Sequence, residues 1–108
     1  MKPTAAESRY MGLIAQMRCV VCRRFVATGQ PVEVHHIAEG SGKRSGFATV
    51  PLCVEHHRGK SGLHGMGAKA FCALYRPLGD TEWGLLAWVN QDMESTGLLV
   101  QERGRVVA

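Results

Sequence analysis

No apolar run in this 108-residue sequence approaches the roughly 20 residues that span a bilayer, which excludes a membrane-crossing helix. The opening residues, Met1 to Tyr10, carry positive charge but lack the continuous apolar segment of a secretory signal, so the expected compartment is the cytoplasm. No segment repeats, and no linker marks a domain boundary. Two glycine-lysine strings, Gly42-Lys43 and Gly59-Lys60-Ser61, lack the glycine that a phosphate-binding loop needs five residues earlier. Ile37 and Val54 stand there, which excludes that motif. Acidic residues are scarce between Arg18 and Arg76, where nine Lys/Arg face only Glu33, Glu39 and Glu55, a net of +6. From Pro77 onward the balance reverses to −3, two Arg against five acids. The basic stretch holds all four cysteines and all five histidines, and a polyanion is the natural partner for such a segment, through phosphate neutralisation.

What is present is the composition of one small domain, with 45% hydrophobic and 20% charged residues. A chain of this size buries only about two-thirds of its unfolded surface, so a metal staple would help it. Thr4-Ala5-Ala6-Glu7 fits a capping box, and Tyr10, Leu13, Ile14 and Met17 follow at helical spacing. Cys19 to Cys22 reads as a tight turn. Residues 30 to 37 are β-like and end on two histidines, and residues 38 to 46 form a Gly/Ser-rich basic loop. Phe47 to Cys53 is expected to pair back as a hairpin, with Pro51 at its edge or end. A helix is expected to begin near Cys53 to His57, and glycines at 59, 62, 65 and 67 argue against a long one. Ala68 to Arg76 reads as a helix with Phe71, Leu74 and Tyr75 on one face, ended with the help of Pro77. Asp80 or Thr81 can cap a last helix carrying Trp83, Leu86, Ala87 and Val89, with a loosely attached tail after Met93.

The cysteines and histidines carry the chemistry. Cys19-x-x-Cys22 and Cys53-x-x-His56 have the spacing that wraps two ligands from each half around a tetrahedral zinc. Disulfides are the alternative, but a cytosolic chain keeps its thiols reduced. Cys72, within an amphipathic helix, reads as a small buried hydrophobe. If His56 completes the zinc site, then His35, His36, His57 and His64 remain for a second site. Without thiolate, such a site suits a metal that binds water and phosphate. One obstacle is local: neighbours in a regular strand face opposite ways, so the strand is expected to end or distort at His35-His36. Glu33 either orients His35 or faces solvent.

The order Cys19-x-x-Cys22, Val34-His35-His36-Ile37, a glycine-rich basic loop, Val50-Pro51-Leu52-Cys53, His56-His57-Arg58-Gly59 and Leu63-His64-Gly65 resembles HNH, or His-Me finger, endonucleases. It is most similar to the phage and prophage branch of Ref-like recombination-enhancement nucleases, over about residues 8 to 76. The resemblance implies an α+β fold, a small zinc-stabilised ββα-metal finger with flanking helices, forming a single domain over 1–108. Its parts would be an N-terminal helix about 4–17, the zinc and ββα core about 18–76, and a C-terminal helix and tail about 77–108. It implies that His36 is the general base and that His35 and His57 hold a catalytic divalent metal (Mg2+, Mn2+, Ni2+ or Zn2+). His64 would be a further ligand, with structural Zn2+ on Cys19, Cys22, Cys53 and His56. Lys43, Arg44, Arg58 and Lys60 would contact the DNA backbone. DNA and the RecA recombinase filament are the implied partners, in a bacterial host or as a phage-encoded protein. The sequence departs from the motif at its central Asn, where residues 46 to 49 offer only Thr49 as a polar side chain. The rival reading is a non-catalytic zinc module that binds nucleic acid, which leaves the surplus of imidazoles without a use.

Overall fold

A computed structural model describes residues 2–25, 31–37 and 45–96. Its elements in chain order are α1 (Ala5–Gln16), α2 (Cys22–Phe25), β1 (Val32–His36), β2 (Thr49–Cys53), α3 (Val54–Arg58), α4 (Leu63–Met66), α5 (Ala68–Tyr75), a 3-10 turn (Leu78–Asp80) and α6 (Glu82–Thr96). This is a small α+β arrangement in which helices surround one antiparallel hairpin.

The capping box forms as its residues require. Thr4 Oγ1 accepts from the Glu7 amide at 3.1 Å, and Glu7 Oε1 accepts from the Thr4 amide at 2.9 Å. The second carboxylate oxygen of Glu7 accepts from the Gly46 amide at 2.7 Å, so the cap also pins the turn that leads into β2. These backbone donors, Thr4 first and Gly46 next, hold the Glu7 carboxyl below its ordinary range. A group whose folded pKa is depressed stabilises the fold above its unfolded pKa and stops doing so as pH falls through the folded one. Glutamine has one acceptor oxygen for two amides, so Glu7→Gln is expected to melt at a lower temperature than the wild type at neutral pH. The two melting curves should converge on acidification below the carboxylate range, and a gap that stays constant with pH would refute this account.

The hairpin pairs Val32 with Cys53, Val34 with Pro51, His35 with Val50 and His36 with Thr49. Pro51 lies mid-strand, not at a strand end. In a two-stranded sheet every strand is an edge, so no ladder donor is missed, and the Pro51 carbonyl points outward to accept from Val20 at 3.0 Å. All five residues of β2 are buried, because α1, α3 and α6 all pack on that strand. Val50 and Leu52 meet Ile14 of α1, Phe71 of α5 and Val20 and Val21 of the Cys19–Cys22 turn in a single core. Thr49, at the place where the motif would have its Asn, is fully buried, and its hydroxyl donates to the Gly46 carbonyl at 2.9 Å.

Two helix faces differ from expectation. In α5, Phe71 and Cys72 are buried and Tyr75 half-buried, whereas Leu74 is 57% exposed. In α6, Leu85, Val89 and Met93 form the buried stripe, Leu86 is only partly covered and Trp83 is 44% exposed. The rotation of α6 is set by polar anchors as well as apolar ones. Asp92, 5% exposed, takes a two-pronged pair from Arg24 at 2.9 and 3.0 Å, and Arg23 approaches it at 3.4 Å. The Arg24 guanidinium also lies 4.6 Å over the Trp88 ring. The helix runs to Thr96, with Arg23 donating to the Ser95 hydroxyl at 3.3 Å, and the rest of the tail lies outside the described residues. Among the described residues no helix is long and apolar enough to cross a membrane.

Candidate metal centres

The turn before α2 and the β2–α3 junction each present two ligands to one point. Cys53 ends β2 and caps α3, its sulfur 3.5 Å from the His56 amide, while the Cys19 sulfur lies equally near the Cys22 amide at 3.5 Å. The four side chains are all buried. Cys22 and Cys53 sulfurs are 3.7 Å apart, and the three sulfurs lie 3.7, 3.4 and 3.2 Å from His56 Nδ1. A tetrahedron with zinc–sulfur bonds of about 2.3 Å and a zinc–nitrogen bond of about 2.0 Å has edges of roughly 3.8 and 3.5 Å. The cluster matches those edges. Its chemistry agrees: burial raises the Cys19 thiol and, with neighbouring Cys19 and Cys53, pushes Cys22 up to about 12. Burial also lowers His56. Two crowded thiols that resist ionisation, beside an imidazole that resists protonation, fit a site whose charge is supplied by a bound cation.

A second group is separate from the first. Donor nitrogens of His35, His57 and His64 all lie within 4.8 Å of one another, with His35 buried, His57 half-buried and His64 exposed. It is closed at the His35 end and open at His64. The rings sit 4.8 to 5.2 Å apart, centre to centre. His35 comes from β1, His57 from α3 and His64 from α4. Glycine makes the α3–α4 step possible: a Cβ on Gly65 would collide with the Gly59 carbonyl, and one on Gly62 with the backbone of α3. Glu55 closes the same turn, accepting from the Ser61 amide at 2.9 Å and its hydroxyl at 2.6 Å.

Carboxylates hold two of these rings. His57 Nδ1 lies 2.9 Å from Glu33, and His35 Nε2 lies 2.8 Å from Glu82 at the start of α6. Glu33 therefore orients His57, not His35, while part of its side chain stays open to solvent. Hydrogen bonding from His57, and then from Arg58, lowers its carboxyl. Glu82 was not found by sequence reasoning. The available signal was one acidic residue at a helix start, which ordinarily signifies only a favourable charge there.

Other expected site residues are placed as follows. His36 belongs to neither group: β1 ends at His36, as expected, but its pairing is regular up to that residue, and alternation turns His36 from the face carrying His35. Arg58 is engaged with Glu33 at 2.9 and 3.2 Å. Lys60 is exposed in the turn after α3. Lys43 and Arg44 lie outside the described residues. The free basic charge is smaller than composition suggested, because Arg23 and Arg24 are paired with Asp92.

The family model for recombination enhancement, RecA-dependent nuclease, matches residues 3–94. The chain belongs to this family of RecA-dependent nucleases. The match spans both clusters of cysteine and histidine and reaches through most of α6, beyond the residues 8 to 76 that carry the resemblance. No curated protein and no solved structure gives a significant match. Membership makes the chain a nuclease of recombination enhancement, and the three-histidine group is open to solvent at His64.

Proposed function

We propose that the protein is a metal-dependent DNA endonuclease of the HNH type, working at His35, His36, His57 and His64 and held together by zinc on Cys19, Cys22, Cys53 and His56. One observation carries the reading: two imidazole-containing donor sets, one closed and sulfur-rich and one open and all-nitrogen, flank the same β1–β2–α3 unit. A purely structural zinc module needs the first and has no use for the second. The β-hairpin followed at once by a short helix is the arrangement that a ββα-metal finger requires.

His35, His57 and His64 would hold a divalent ion, which when bound would supply charge stabilisation to the scissile phosphate and the departing 3′-oxygen. The chain's own residues do the rest. His36 takes the proton of the attacking water. It stands at the last pair of the hairpin, half-buried and outside the ligand group, so its ring is not committed to the metal. A two-stranded ribbon is thin at its end, and a phosphodiester laid across that end reaches both faces. Thr49, opposite His36, fixes the turn there through its bond to Gly46, which is the clamping task of the missing Asn. Glu33 and Glu82 orient the ligand rings. Lys60, Lys43 and Arg44 contact the backbone of DNA, and Arg58 joins them while holding Glu33. The RecA filament is the partner that presents the DNA.

The test is a nicking assay with Mg2+, Mn2+ or Ni2+, with and without a RecA filament, comparing the wild type with His36→Ala. Cleavage by the wild type and a rate lower by roughly 10²–10⁴-fold in the variant are expected for loss of a general base. A variant that cuts like the wild type removes His36 from the mechanism. A wild type that cuts with none of these ions under either condition leaves the zinc-module reading.

A further inference from the structure

Two carboxylates grip two rings of the open site by different nitrogens. Glu33 takes Nδ1 of His57 and Glu82 takes Nε2 of His35, and neither carboxylate is in the set whose donor atoms all lie within 4.8 Å of one another. An ionised carboxylate only accepts hydrogen bonds, so the ring nitrogen facing it must carry the proton. A neutral imidazole then has one lone pair left, on the opposite nitrogen, and a metal can bind only there.

We propose that Glu82 is a positioning residue of the nuclease site: it fixes the Nε2–H form of His35 so that this ring offers Nδ1 to the metal, while Glu33 fixes the opposite form of His57, which offers Nε2. This rests on the assignment of His35, His57 and His64 as the metal-holding group. The burial pattern supports it. Glu82 is 5% exposed and His35 4%, a depth at which an acid is kept only with a partner that justifies its desolvation. The contact also crosses the fold, joining residues 47 apart, so the C-terminal helix is built into the site and does not merely flank it. The same helix grips α2, beside the Cys19 and Cys22 ligands, through Asp92. One helix therefore contacts both donor groups, and the family match includes it as far as residue 94.

The full chain, with its cysteine site loaded with zinc, is labelled with 15N, and long-range proton–nitrogen spectra of the imidazoles are recorded at mildly alkaline pH. The expected result is opposite forms, the proton on Nε2 in His35 and on Nδ1 in His57. A second equivalent of Zn2+ should then shift the Nδ1 signal of His35 and the Nε2 signal of His57. Calorimetric titration with Ni2+ should show affinity weakened by roughly 10–100-fold in Glu82→Ala, with Glu82→Gln in between because it keeps an acceptor oxygen but loses the charge. A His35 ring protonated on Nδ1, or Ni2+ affinity unchanged in Glu82→Ala, overturns the proposal. A Zn2+-induced shift at Nε2 of His35 does so as well, because it would make Glu82 a direct ligand. Should the alanine variant not fold, the wild-type spectra and the glutamine variant decide. No readout here uses DNA. If these results hold and DNA is never cut, the nuclease mechanism fails while the role of Glu82 stands; if DNA is cut and His35 carries the proton on Nδ1, the reverse is true.

Discussion

Replacing Cys22 by serine is expected to abolish the cooperative thermal transition of the protein, and stripping zinc from the wild type with a strong chelator is expected to do the same. The magnitudes decide this. Structural zinc sites bind with apparent free energies of about 10–16 kcal/mol near neutral pH, whereas the net stability of a whole domain is about 5–15 kcal/mol. A chain of this size cannot lose a term that large and remain folded. The position of the cluster makes the loss worse. Val20 and Val21, between Cys19 and Cys22, are fully buried against Val50 and Leu52, so releasing the knuckle opens the core. Cys22 is a sensitive choice, since its thiol is pushed up to about 12 by burial and by its two cysteine neighbours. Zinc binding displaces those protons, so the zinc-bound state holds fewer protons than the released one. Stability from this site therefore rises with pH and is lost on acidification. Metal analysis should find one retained zinc per chain at neutral pH, released in step with unfolding as acid is added. A Cys22→Ser protein that melts cooperatively near the wild-type temperature would refute the structural role.

The parts of the fold that were legible in the sequence are those whose cause is local. The capping box needs only Thr4 and Glu7, and the cluster of three cysteines and His56 announces itself because two-residue spacers suit a tetrahedral ion. The hairpin follows from apolar strands on either side of a glycine-rich loop. The parts that were missed depend on tertiary contact. In α6 two apolar stripes compete, one through Leu86 and one through Leu85, Val89 and Met93. The choice falls to the second because it lets Glu82 reach His35 and Asp92 reach Arg24. Composition counted Arg23 and Arg24 toward a DNA-binding charge, although a single acid 68 residues after Arg24 engages both. In the sequence Gly62 and Gly65 signal only that no long helix forms there. Their structural task is to let α4 lie against the end of α3, which is what brings His64 to His57.

His56 and His57 are adjacent in the sequence, yet His56→Ala and His57→Ala are expected to fail in opposite ways. His56 is buried, with its Nδ1 among three sulfurs. Its loss leaves a three-ligand site open to water, and zinc content and the melting transition should fall together. His57, next along α3, is half-buried and faces His35 and His64. Removing it takes one of the three imidazoles from the open group and leaves the sulfur-rich group whole. Glu33 loses its bond from His57 but keeps both bonds from Arg58, so the carboxylate is not stranded. The fold cost should therefore be small, and the His57→Ala protein should retain one zinc per chain and a melting transition close to that of the wild type. Its nicking rate should drop far more. If the ion contributes about 3–5 kcal/mol of transition-state stabilisation, losing its hold reduces the rate by roughly 10²–10⁴-fold. High concentrations of Mn2+ should recover part of that rate, because two ligands remain. Zinc content and nicking rate measured on both variants separate the two sites. A His57→Ala protein that loses zinc as His56→Ala does would merge them into one centre, and a His57→Ala protein that nicks at the wild-type rate would place the chemistry elsewhere.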